Sequence, residues 1–236
     1  LSEEHQNQID KMIRENPKLT KDILAQTFGP KEATMTIKIL DEKIAELKTA
    51  HDPDNQIPAL EQMKLMADKV QISPKKLTAM IDMILEDPRL LPRDNRTFCN
   101  VGTLIGNYLL GSEMHRLTGK HGFLRATELI QKARKSSLNS KETGVYKLTP
   151  EIIQFAANLG FPTMAGAETT KVKGTSHVAM GAVRVAGYNS AVGVRLGGPG
   201  SDGSTYPVKF HDYTNSRDWE PKVLNLKKIE YYFIAP

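Results

Sequence analysis

This 236-residue sequence predicts an α+β fold, and three observations carry the prediction. Up to about residue 88, apolar residues recur three and four apart between proline-bearing loops, the spacing of amphipathic helices. Beyond Gly160 the pattern changes to short apolar runs separated by glycine-rich turns, the texture of antiparallel strands. The two textures follow one another instead of alternating, which argues against a parallel sheet built from strand–helix–strand units. On this basis the chain divides into an all-helical region, residues 1–88, and a second region, residues 89–236, in which helices pack on an antiparallel sheet.

Ser2 with Glu3 and Glu4 opens the first helix, which carries Ile9, Met12 and Ile13 and closes at Asn16-Pro17. Residues 20–28 form a short second helix stopped by Gly29-Pro30. The third runs over residues 31–50, with Met35, Ile39, Ile44 and Leu47 assigned to one side, and the loop HDPDNQIP follows it. A fourth spans residues 59–70. Ser73-Pro74 gives the fifth a cap and a proline at its first helical position, and Leu77, Met80, Ile81, Ile84 and Leu85 carry it to Asp87-Pro88. The methionines at 12, 35, 63, 66 and 80 stand at helical spacing and read as core before they read as an adaptable groove. Without metal-ligand spacing, phosphate loop or catalytic cluster, this region is an accessory part for recognition, positioning or inhibition. Its expected ligand is a protein partner, an immunity or adaptor protein.

The phrase RDNRTFCNVGTLIGNYLLG, residues 93–111, holds the only cysteine. Val101, Leu104, Ile105, Tyr108 and Leu109 recur at helical spacing before Gly111, which sets Cys99 in the first turn of a helix. A helix at residues 123–133, a polar loop KSSLNSKETGVYK, and a helix opened by Thr149-Pro150-Glu151 and closed at Gly160 come next. Strands are predicted at 176–185, 191–196, 207–211 and 228–234, with a tight turn at Gly187-Tyr188-Asn189 and a flexible loop at GGPGSDGS.

Composition narrows the partners. A formal charge of +5 and a pI near 9.1 favour an anionic partner such as a bacterial envelope. Lys and Arg are spread along the chain with few aromatics between them to stack bases, which speaks against nucleic acid. No apolar run reaches the eighteen or so residues that cross a bilayer, so no transmembrane segment is expected. The first residues, LSEEHQNQID, have neither the basic nor the apolar section of a signal peptide, and the leading Leu suits a trimmed form.

The chemistry rests on Cys99 and His177. A thiolate is the reactive form of cysteine, and the free N–H groups at a helix start stabilise it. Such a nucleophile needs a base to take its proton and return it to the leaving group. Of six histidines, His177 leads the strand phrase SHVAMGAVRV; His5 and His51 lie in the helical region, His115 and His121 in a loop, His211 in a later strand. A buried structural cysteine and a structural strand histidine are the competing reading. There is no G-x-S-x-G elbow, no H-E-x-x-H and no paired-cysteine motif. His115, His121 and Glu113 are too loosely spaced for zinc, and GGPGSDG lacks the Lys-Ser/Thr ending of a phosphate loop. Neither a cofactor nor a metal is expected.

A cysteine heading a helix, and then ANLGFPTMAGAETTKVKGTSHVAMGAV at residues 157–183, resembles the papain-like amidases of bacterial and phage cell-wall turnover, the CHAP and NlpC kind. The resemblance covers about residues 93–194 and does not reach the helical region. It implies a papain-like domain, a nucleophilic Cys99, His177 as general base and acid, and a third polar residue that orients the imidazole. Asn189, twelve residues on, has the implied spacing but also turn chemistry; Asp202, Asp212 and a backbone carbonyl remain alternatives. The oxyanion would be met by the Cys99 N–H and a donor from the loop holding Asn95 and Arg96. The implied substrate is peptidoglycan stem peptide, and the implied location secreted, periplasmic or wall-associated. A protein-directed protease, a deamidating or transglutaminating toxin, and a non-enzymatic virion or secretion component are the rivals.

Overall fold

The computed structural model describes residues 30–67, 100, 103–104, 106–107, 112, 124–168, 176–181, 195–198, 208–212 and 229–235. The predicted first, second and fifth helices lie outside the described residues, as does the Gly187-Tyr188-Asn189 turn.

Helices α1 (Pro30–Thr49) and α2 (Ile57–Met66) pack against each other as a hairpin. The buried side of α1 is Ala33, Thr36, Leu40 and Ile44, at the three-and-four spacing of an inward stripe. Met35, assigned to that stripe from sequence, is 59% exposed, so the apolar face is turned by part of a helical step. In α2, Ala59, Leu60, Met63 and Met66 are buried, which makes Met63 and Met66 core residues. The connection reverses through His51, Asp52 and Asn55, all with positive φ (61°, 41° and 53°). Asp52 repays its left-handed backbone by capping α2: its carboxylate oxygens accept from the Gln56 and Ile57 N–H groups at 2.7 and 2.9 Å. That cap, with Pro58 in the first turn, starts α2 two residues before the sequence prediction.

Arg125 is extended, and its N–H donates to the Glu128 carboxylate at 2.9 Å, which opens α3 (Ala126–Ser136). Leu129, Ile130 and Ala133 bury its inner side. Arg134 and Lys135 complete the last turn, where cations suit the helix dipole, and carry the helix past the predicted stop at Ala133. The stretch predicted as a polar loop is ordered throughout: a 3-10 turn at Ser137–Asn139, the single turn α4 (Ser140–Thr143), left-handed Gly144, and strand β1 (Val145–Leu148). Helix α5 (Pro150–Asn158) has the predicted ends, since Thr149 Oγ1 accepts from Ile152 N–H and Gly160 is left-handed at φ 85°.

The remaining strands are β2 (Thr163–Glu168), β3 (Ser176–Gly181), β4 (Arg195–Gly198), β5 (Val208–Asp212) and β6 (Glu230–Ile234). They form one sheet in the order β1-β6-β2-β3-β4-β5, antiparallel at every described pairing. The fold is therefore α+β with an antiparallel sheet. β4 takes in Gly197 and Gly198, assigned from sequence to the flexible loop. The register shift between Leu196 and Gly198 is the kind of irregularity that glycine permits in a paired strand.

The last strand lies between β1 and β2, and Tyr231, Tyr232, Phe233 and Ile234 are all buried. On one face Leu104, Leu129, Ile130, Ala133, Val145, Met164, Tyr232 and Ile234 form a continuous core. Elsewhere in the core Phe233 meets Tyr146 and Phe161 at ring-centroid distances of 6.0 and 6.2 Å. Each of the larger side chains contributes about 1.5–3 kcal/mol by leaving water. Contacts also cross the predicted division at residue 88: Lys43 pairs with Glu151 of α5, and buried Gln56 reaches the end of β1.

Candidate functional site

Cys99 and Asn189 lie outside the described residues, as do Asn95, Arg96, His115, His121 and Asp202. The described residues that follow the cysteine in sequence are tied down. Asn100, Thr103, Leu104, Gly106 and Asn107 are helical, in keeping with the predicted helix after Cys99. Asn100 Nδ2 donates to the Leu124 carbonyl at 2.8 Å, just ahead of α3. Leu104 joins the core of α3 and the sheet.

Thr103 and Asn107 are fully buried. Asn107 Nδ2 donates to the Thr103 carbonyl one turn back at 2.9 Å, and to the Thr163 carbonyl at the head of β2 at 3.1 Å. Ser112 completes the tether: its N–H donates to Asn107 O at 2.9 Å and its hydroxyl to Ile234 O at 2.8 Å. Two buried atoms of this segment, Thr103 Oγ1 and Asn107 Oδ1, have no hydrogen-bond partner among the described residues.

The ladder shows which way Thr163 faces. Ile234 N–H donates to Pro162 O, so Thr163 and Phe233 form a non-hydrogen-bonded pair of the β2–β6 ladder. The Thr163 carbonyl therefore points away from β6, toward the β3 side. The β2–β3 register pairs Ala165 with Ala179 and Ala167 with His177; carried two residues on, it would bring Thr163 opposite Gly181, where β3 ends. Asn107 thus takes up a main-chain carbonyl at the point where β2 and β3 part.

His177 is the second residue of β3 and shares its rung with Ala167. Met164 and Glu168, the alternate positions of β2, are on the side of α3: Met164 packs with Leu129 and Ile130, and Glu168 accepts from Gln131. Asp212 of β5, an alternative third residue, pairs with Arg195 of β4, and β4 separates β5 from β3. Five rungs and two strand spacings separate it from His177, about 16 Å along the sheet and about 10 Å across it. That distance removes Asp212 as a partner for the imidazole.

A second polar cluster was not foreseen from sequence. Arg134 of α3 donates through Nε to Glu230 Oε1 at 2.9 Å and through Nη2 to Glu168 at 3.3 Å, while the Tyr232 hydroxyl donates to Glu230 at 3.0 Å. The Glu230 hydrogen bond drives the Arg134 guanidinium further up, and burial, reinforced by the Glu230 charge, drives the Tyr232 phenol up. Burial alone would raise the Glu230 carboxyl, but the bonds from Arg134 and Tyr232 and the charges of Arg134 and Lys147 outweigh it and hold it below its ordinary value. Each group is thereby locked in its usual ionisation state at neutral pH. The cluster is a latch between helix and sheet and holds no proton ready for transfer.

Among the described residues no three His, Cys, Asp or Glu side chains converge on a metal position. No described helix is long and apolar enough to cross a membrane. The tethers at Asn100 and Asn107 were missed from sequence, although the spacing of Asn100, Thr103 and Asn107 marks a polar stripe beside the apolar one. No protein-family model matches the chain, and neither a curated protein nor a solved structure does.

Proposed function

We propose that this chain is a papain-like cysteine amidase or endopeptidase that cuts amide bonds, above all in peptidoglycan stem peptides. Cys99 is the nucleophile, His177 the general base and acid, and Asn189 the side chain that orients the imidazole. The observation that carries this reading is the anchoring of Asn107 at the fork of β2 and β3. From that fork the described helical residues lead back through Leu104 and Thr103 to Asn100, the sequence neighbour of Cys99. Four strand residues lead from Gly181 back to His177, about 13 Å. The reading further demands that His177, which shares its rung with Ala167, present its ring across the head of the strand to the cysteine.

In this mechanism His177 takes the thiol proton, and the thiolate adds to the scissile carbonyl. Collapse of the tetrahedral adduct breaks the C–N bond as the imidazolium protonates the departing amine. Water, deprotonated by the same imidazole, then releases the acyl group from sulfur. The net positive charge of the chain suits a polyanionic envelope.

Incubation with labelled peptidoglycan fragments is expected to yield new amine and carboxyl termini, identified by mass spectrometry. Cys99→Ser and His177→Ala are each expected to abolish the products and leave the circular dichroism spectrum unchanged. Dibromoacetone, which spans only a few ångströms, is expected to bridge Cys99 and His177 in the folded protein. Alkylation of Cys99 alone under those conditions would refute the dyad. Cleavage of protein substrates and not of wall fragments would leave the dyad standing and replace the substrate.

A further inference from the structure

We draw no further inference here: the strongest candidate, the buried side-chain cluster of Thr103 and Asn107 at the head of β2, whose Oγ1 and Oδ1 have no hydrogen-bond partner among the described residues, carries nothing because nothing in the structure shows what covers it.

Discussion

Thr149 and Thr103 show how one hydroxyl can stabilise or cost according to its partners. Thr149 Oγ1 accepts the Ile152 N–H at the start of α5, where four N–H groups would otherwise lack partners. Thr149→Ala should lower the unfolding free energy by about 1 kcal/mol, read from the urea midpoint. Thr103 Oγ1 is buried with no partner among the described residues, so Thr103→Val, which keeps the shape and removes the oxygen, should raise stability by about 1 kcal/mol. An unchanged or lower midpoint for Thr103→Val would mean that the hydroxyl finds a partner in solution. The Thr149 cap was legible because Thr-Pro-Glu states it locally. The Asp52 cap on α2 was not, because it reaches four and five residues ahead through a reversal in which His51, Asp52 and Asn55 have positive φ, which no short motif describes.

At the scale of elements, α3 is held to the sheet by apolar packing beneath and by the Arg134 latch at its end. Glu230 has its carboxyl held below the ordinary value near 4.5, so its contribution is complete above that value and is lost as pH falls through the lowered one. Acidification from about pH 5 downward should therefore weaken the α3–sheet contact. Glu230→Gln should flatten that part of the stability curve in denaturation series at stepped pH. Much of this scale was readable in advance: α1, α5, β3 and the aromatic final strand follow from periodicity and caps. β1 was missed because four residues, Val145–Leu148, are too few for a periodic signal; pairing with β6, more than eighty residues later, makes them a strand. The same limit applies to the site. Cys99 and His177 could be nominated by residue type, but the bond from Asn107 to Thr163 of β2 joins residues 56 apart, and no local pattern spells it out.

At the scale of the whole molecule, the α1–α2 hairpin and the sheet region are joined through Gln56, which is 4% exposed. Its Nε2 donates to Lys147 O at 3.3 Å and its Oε1 accepts from Thr149 N–H at 2.9 Å. Gln56→Leu strands both main-chain groups, and a loss of about 2–4 kcal/mol is expected by chemical denaturation. Hydrogen exchange at the Thr149 amide should rise more than exchange at β2, which lies beyond β6. Uniform acceleration across the sheet would instead point to a general loosening. The same glutamine governs how the folded protein meets its own kind. β1 is a border strand, and the Lys147 carbonyl and Thr149 amide on its rim are what an incoming chain would grip. With both occupied, stacking of copies rim to rim is stopped on that side. Polymerisation through the described strands needs two open rims, so a stack begun at β5 would end at a pair.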